Sequence, residues 1–394
     1  MTTDQTPQLH NGKDIFAARI ALIALTILYA ASLVFLFIKQ MQWTGGAVYE
    51  SDLPAHISMV IDDGWYYSLT ALIYRLCYFL PWPQVAIAIV LTASQIASIV
   101  IGAKLLGLFL QAPEVCYALS MVANFVMPCY LRGVADGRYI GMQSASIWHN
   151  STYIVMKWLA LLSLYLYVQL ELRIREELPV RRLVLFTVIL TVTTAVKPSF
   201  LLIFAPMMLI FLITDLVQKV PFARLFCFGC AVLPSLLVIL LQNAVLFGDS
   251  TGNSWVIAPG QVLSQHSAHP LISVILSLLF PLVMLELNPQ MFRSKVSLGA
   301  WLMALIGFLQ LFLFSETGNR SLDGNFTWGF GFAILPIFLV GIYYLVTELR
   351  RFAEVALMRR IALLLAGAAL LWHLYCGVYF YVQLVRGVSY FMWT

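Results

Sequence analysis

Apolar positions in this chain come in long runs, neither alternating as in a half-buried strand nor confined to one stripe of a helix. A run of about 20 such residues is what a helix needs to cross the hydrocarbon of a bilayer. Eleven candidate spans follow, at about 17–38, 84–108, 114–131, 153–172, 183–196, 199–217, 225–246, 270–287, 297–315, 328–348 and 361–384. The first is too long for a signal-peptide core and lacks a small-residue cleavage site, so it is expected to stay as an anchor. Lys197-Pro198 separates the fifth and sixth runs, and proline disfavours helix at the residue before it. That break predicts a tight corner between two helices, with a single kinked helix as the alternative. The stretch 64–80, GWYYSLTALIYRLCYFL, is short and aromatic and predicts a helix lying along the membrane interface.

Composition changes the picture from apolar to membrane-embedded. Of 394 residues, 61% are hydrophobic and only 10% charged, against about 25% charged in a soluble domain. A water-soluble multidomain protein, a disordered chain, a coiled coil and a disulfide scaffold are excluded on that ground. The expectation is an all-α polytopic membrane protein, with residues 1–394 forming one integral membrane domain. The formal charge of +5 is read as a topology signal and not as a nucleic-acid footprint. Fifteen of the 23 Lys and Arg fall on the side of residues 1–16 and of the short loops RIREELPVRR, NPQMFRSK and RRFAEVALMRR. The positive-inside rule then predicts a multi-pass protein with its N-terminus inside and its C-terminus outside. Cys227 and Cys230 lie three apart in an apolar run, where packing is the ordinary role; no disulfide framework is implied.

The expected outer segments are 39–83, 132–152, 247–269, 316–327 and the tail after 384, and they differ in character from the inner loops. They carry Glu50, Asp52, Asp62, Asp63, Asp136, Asp249, Glu316 and Asp323 and four of the six His, including His56 and His149. Glu50 and Asp52 sit about a dozen residues past the first span. Carboxylates beside a bilayer lose solvation and are functional candidates by default. Such a pair could take a proton from a hydroxyl or hold a divalent cation such as Mg2+ or Mn2+, or it could be a plain solvated loop. In 136–153, Asn150, Ser151 or Thr152 can cap the helix that follows. Arg138 with that helix N-terminus would favour an anion, and Trp148 suits an interfacial belt. Lys197 either pairs with an anion at membrane depth or snorkels to headgroups. Glu316 to Trp328 gathers an acid, Arg320, Asn325 and an aromatic ring in a short polar loop suited to sugar binding.

An acidic Glu50-Ser-Asp52 in the first outer loop, followed by an interfacial helix, resembles the GT-C superfamily of membrane glycosyltransferases. Asp136-Gly-Arg138-Tyr-Ile-Gly, Trp148-His149-Asn150-Ser-Thr-Tyr153, Val-Lys197-Pro198-Ser-Phe and Glu316-Thr-Gly-Asn-Arg320 through Asn325-Phe-Thr-Trp328-Gly are similar to segments of its bacterial surface-polysaccharide members. The resemblance implies transfer of a sugar from a polyprenyl-phosphate donor to a lipid-linked or surface glycan on the outer face of the cell inner membrane; inversion is expected where one acid activates the attacking hydroxyl directly. It implies Asp52 as general base or metal-positioning acid, with Glu50 in support. Arg138, Lys197 and Arg320 would hold the donor phosphate, and His56, His149, Asn150, Glu316, Asn325 and Trp328 would shape the substrate site. Neighbouring expectations are a polysaccharide polymerase of the Wzy type and, from another class, a lipid-linked glycan transporter or flippase. Few charges in span centres and no inverted repeat in the sequence weigh against transport.

Overall fold

Backbone polar groups that no water can reach must pair within the chain, and at bilayer depth the helix is the element that pairs them all locally. The computed structural model describes residues 12–66, 68–131, 144–246, 254–318 and 324–389. In chain order the helices are α1 (Gly12–Met41), α2 (Leu53–Ile61), α3 (Leu69–Cys77), α4 (Pro83–Leu106), α5 (Pro113–Phe125), α6 (Ser151–Glu171), α7 (Val180–Val196), α8 (Ser199–Val217), α9 (Phe222–Cys230), α10 (Leu233–Leu246), α11 (Gln261–His266), α12 (Pro270–Leu287), α13 (Lys295–Leu313), α14 (Thr327–Leu349) and α15 (Leu357–Val385). Two three-residue strands, β1 (Trp255–Ile257) and β2 (Phe314–Glu316), pair antiparallel with Trp255 opposite Glu316.

Among the described residues nine helices, with α9 and α10 counted as one, are long and apolar enough to cross a membrane. The chain is therefore an all-α polytopic protein by composition and by shape. Large apolar side chains stand exposed along α1, α7, α10 and α15, among them Leu28, Val188, Leu240 and Leu371. Water would not tolerate so much exposed apolar surface on a monomer. The centre is occupied by α14 and α6, whose apolar windows are 78% and 72% buried.

Each of the eleven expected apolar runs is helical, but two are shorter than a span. The run at 183–196 gives α7, and Lys197 and Pro198 separate it from α8, so the tight corner is realised and the kinked helix is not. The run at 114–131 gives only α5, which stops at Phe125. Pro128 follows within three residues and cannot continue a helix. Val126 to Leu131 then runs as irregular backbone against α12 and α15. Met127 N–H donates to His373 O at 3.2 Å and Cys129 N–H to Leu276 O at 3.0 Å, while His373 Nδ1 meets Met127 O at 2.6 Å and His373 Nε2 accepts from Phe280 N–H at 3.3 Å. Such backbone is tolerable at this depth because protein, not lipid, covers it. The interfacial helix expected at 64–80 becomes α3, preceded by a separate α2.

Short connections make successive helices run in opposite directions. One end of the bundle, here termed upper, carries the C-termini of α1, α7 and α15 and the N-termini of α4, α6, α8 and α14. There Tyr49 N–H donates to Gly387 O at 3.0 Å, seating the loop after α1 on the end of α15. At the lower end Arg19 pairs with Glu114 at 2.5 Å, joining α1 to α5, and Arg359 bridges Glu348 and Asn288 at 3.0 and 3.1 Å. Small residues let helices approach closely in the interior. A Cβ on Gly307 of α13 would lie 2.8 Å from Phe330 N and Cα of α14.

Candidate functional site

Helix N-termini leave N–H groups unpaired, and four of them meet at the upper end. Asp52 precedes α2 as its N-cap residue, yet its side chain makes no capping bond there. Its Oδ2 instead accepts from Asn150 Nδ2 at 2.9 Å. Asn150 is itself the N-cap of α6, with Oδ1 accepting from Tyr153 N–H at 3.0 Å and from the Thr152 hydroxyl at 2.8 Å. Ser51 takes over at α2: its Oγ accepts from Leu53 N–H at 3.2 Å and donates to His149 O at 2.9 Å. The starts of α2 and α6 are thus stitched side to side. Asn150 and His149 are buried.

Lys197 enters from the corner before α8. Its Nζ donates to the Thr152 hydroxyl at 3.2 Å and stands 4.7 Å from the centre of the Trp328 ring at the start of α14. Trp328 is buried and its ring also packs at 5.4 Å on Tyr153. Buried between that cation and the Tyr153 ring, it holds Lys197 and does not present an open stacking surface. His56, half-buried on α2, shares Ser151 Oγ with Tyr74: the Tyr74 hydroxyl donates to Ser151, and Ser151 lies 3.0 Å from His56 Nδ1. Burial pushes the His56 ring down to about 4; Asp52 opposes this shift while Lys197 and His149 add to it. His149 is lowered in the same way, by burial first and with Asp52 opposing. Both imidazoles are neutral at neutral pH. With Tyr74 donating to Ser151 Oγ, the Ser151 proton is available to His56 Nδ1, which leaves the His56 proton on Nε2.

The arrangement has a definite chemical sense. A helix N-terminus carries roughly half a positive charge, and α2, α6, α8 and α14 all begin around Lys197. One carboxylate, Asp52, stands inside that field. An anion bound there would be stabilised, and a neighbouring hydroxyl would have a carboxylate to receive its proton.

Asp52, His56, His149, Asn150, Lys197 and Trp328 are the residues that the structure gathers from the sequence expectations. Glu50 is engaged elsewhere, where the Ser389 hydroxyl donates to it beyond α15. Glu316 and Asn325 pair with each other, Nδ2 to Oε2 at 2.8 Å, and tie β2 to the chain entering α14. Arg138 and Arg320 lie outside the described residues. Glu50 and Asp52 are bonded to different segments, and among the described residues no group of three His, Cys, Asp or Glu could hold a metal. Ser51 and Tyr74 were not anticipated, and Ser151 and Thr152 were expected only as alternative caps of α6, a place that Asn150 takes. The hydroxyl run after Asn150 signals Ser151 and Thr152; nothing in the sequence singles out Ser51 or Tyr74.

Beneath the site lies a buried lysine. Lys157 on α6 is 1% exposed and its Nζ donates to Ala145 O at 2.9 Å. With Gln95 Nε2 on Ile147 O at 2.8 Å and Trp148 Nε1 on Tyr29 OH at 2.9 Å, it fastens the irregular segment that delivers His149 and Asn150. No protein-family model matches the sequence and no curated protein matches it, so no relative assigns a role to these residues.

Proposed function

We propose that this protein is an inverting membrane glycosyltransferase of GT-C type that moves a sugar from a polyprenyl-phosphate carrier to a lipid-linked or surface glycan. The observation that carries the reading is the meeting of four helix N-termini and Lys197 around one carboxylate, Asp52. The upper end is assigned to the outer face of the inner membrane, with the N-terminus inside, on the positive-inside distribution of Lys and Arg.

In this mechanism the donor phosphate rests against Lys197 and the helix N-termini, where its charge is compensated. Asp52 takes the proton of the acceptor hydroxyl as that oxygen attacks the anomeric carbon. The bond from the anomeric carbon to the phosphate oxygen breaks, and the polyprenyl phosphate departs with the added negative charge, which Lys197 stabilises. A single displacement inverts the anomeric centre. Asn150 holds Asp52 in place through one amide hydrogen, and neutral His56 and His149 keep the pocket from acquiring further positive charge. Glu316, Asn325 and Trp328 act as structural supports of Lys197 and of the α14 entrance.

Binding of a polyprenyl-phosphate sugar to the protein in nanodiscs tests the phosphate contact. Lys197→Met should weaken it by about 10- to 100-fold, the range for loss of a charged hydrogen bond, and Lys197→Arg should restore part of it. Equal binding by all three proteins would overturn the assignment. Tight binding without any transfer would favour the transporter.

A further inference from the structure

The lower end holds a second cluster of charge that the upper site does not use. Lys295 at the start of α13 donates through Nζ to Glu171 Oε1 at 2.6 Å and to Asp215 Oδ1. Glu171 and Asp215, from α6 and α8, are 8% and 0% exposed. Two carboxylates share one ammonium, and among the described residues neither acid has a second ion-pair partner. Asp215 Oδ2 and the Tyr167 hydroxyl are buried with no hydrogen-bond partner. Buried charge and buried polar atoms without partners are both costly unless something supplies the opposite charge or a hydrogen-bond partner.

Beside this cluster a cavity of about 220 Å3 lies between α4, α6, α8, α13 and α14, with Glu171 and Lys295 on its wall. The rest of the wall is mainly apolar and aromatic, including Phe109, Tyr167, Phe211 and Tyr343. An anion would meet two acids and would find Lys295 already shared between them. A hydrated metal ion would face apolar walls and only two carboxylates. A cation with an apolar body meets both demands at once, and aromatic faces add attraction for it.

We infer that this cavity binds an organic monocation, a protonated amine or quaternary ammonium, with its charge against Glu171 and its apolar body between Phe211 and Tyr343. The inference stands apart from sugar transfer, because it concerns the opposite end of the bundle and a different set of side chains.

The test uses the full-length protein in nanodiscs and phenethylamine, with phenethyl alcohol as the neutral control for partition into lipid. Calorimetric titration should show saturable binding of the amine beyond that of empty nanodiscs, at least about tenfold tighter than binding of the alcohol. Glu171→Gln should weaken the amine by about tenfold or more. Leu339→Trp, which fills the cavity without altering the ion cluster, should abolish binding and serves if Glu171→Gln does not fold. Equal binding of amine and alcohol, or amine binding unchanged in Leu339→Trp, would overturn the inference.

Discussion

Asn150 does two jobs with one side chain, and substitutions can separate them. Its oxygen caps α6 and its amide donates to Asp52 at 2.9 Å. Losing a cap costs about 1 kcal/mol, and losing a hydrogen bond to a charged group costs about 1.5–3 kcal/mol. Asn150→Ser keeps an acceptor for the cap and loses the amide, so it should destabilise by about 2 kcal/mol. Asn150→Ala loses both, for about 3 kcal/mol if the two add. Asn150→Asp keeps the cap but sets a second carboxylate against Asp52. That pair can coexist only by sharing a proton, so this variant alone should gain stability relative to wild type as pH falls. Unfolding of the four proteins in mixed micelles by denaturant titration supplies the comparison, with transfer activity measured beside it. Ser equal to wild type would show that the amide–carboxylate bond contributes nothing, and Ala equal to Ser would show the same for the cap.

Stability should also follow the state of His56. Its folded value, about 4, lies below the ordinary 6.5 because burial disfavours the charged ring, so the unfolded chain binds more protons between those values. This contribution is fully present above about pH 6.5 and is lost as pH falls toward 4; His56→Asn should flatten the slope of unfolding midpoint against pH in that window, with His149 leaving a residual slope of the same sign. On α15, a Cβ at Gly377 would lie 1.4 Å from Phe125 O, whereas one at Gly367 meets nothing within 4 Å. Gly377→Ala should therefore cost about 4 kcal/mol or more and lose the monodisperse peak in size-exclusion chromatography, while Gly367→Ala should raise the unfolding midpoint slightly.

The eleven apolar runs were legible because hydrophobic length at bilayer scale is a local property of sequence. The early end of α5 was not, since Val126, Met127, Cys129 and Leu131 are as apolar as a helix would require. Only Pro128 marked the break, and the partners that make it tolerable, His373 and Leu276, lie far along the chain. In the upper site the residues with unusual polarity for their surroundings, Asp52, His149, Asn150 and Lys197, were identifiable one by one. Their convergence was not, because four helix starts must be placed in space before a shared field exists. Glu50 shows the converse: proximity in sequence to Asp52 suggested a pair, but loop residues two apart can serve different elements, and Glu50 serves the end of α15. Lys295 read as an ordinary stop signal beside Arg293. Asp215 within an apolar run was the sign that it had a buried partner.

Whether Asp52 is the base of a transfer reaction at the upper end is decided by comparing turnover with and without its carboxylate. Wild type and Asp52→Asn, both in nanodiscs with equal folded fractions and equal donor binding, are given a polyprenyl-phosphate sugar and a lipid-linked glycan acceptor. The appearance of glycosylated acceptor and free polyprenyl phosphate is followed with time. Wild type should turn over steadily, and kcat should be lower by about 10²–10⁴ in Asp52→Asn, the usual weight of a general base. Turnover by Asp52→Asn at the wild-type rate would contradict that role.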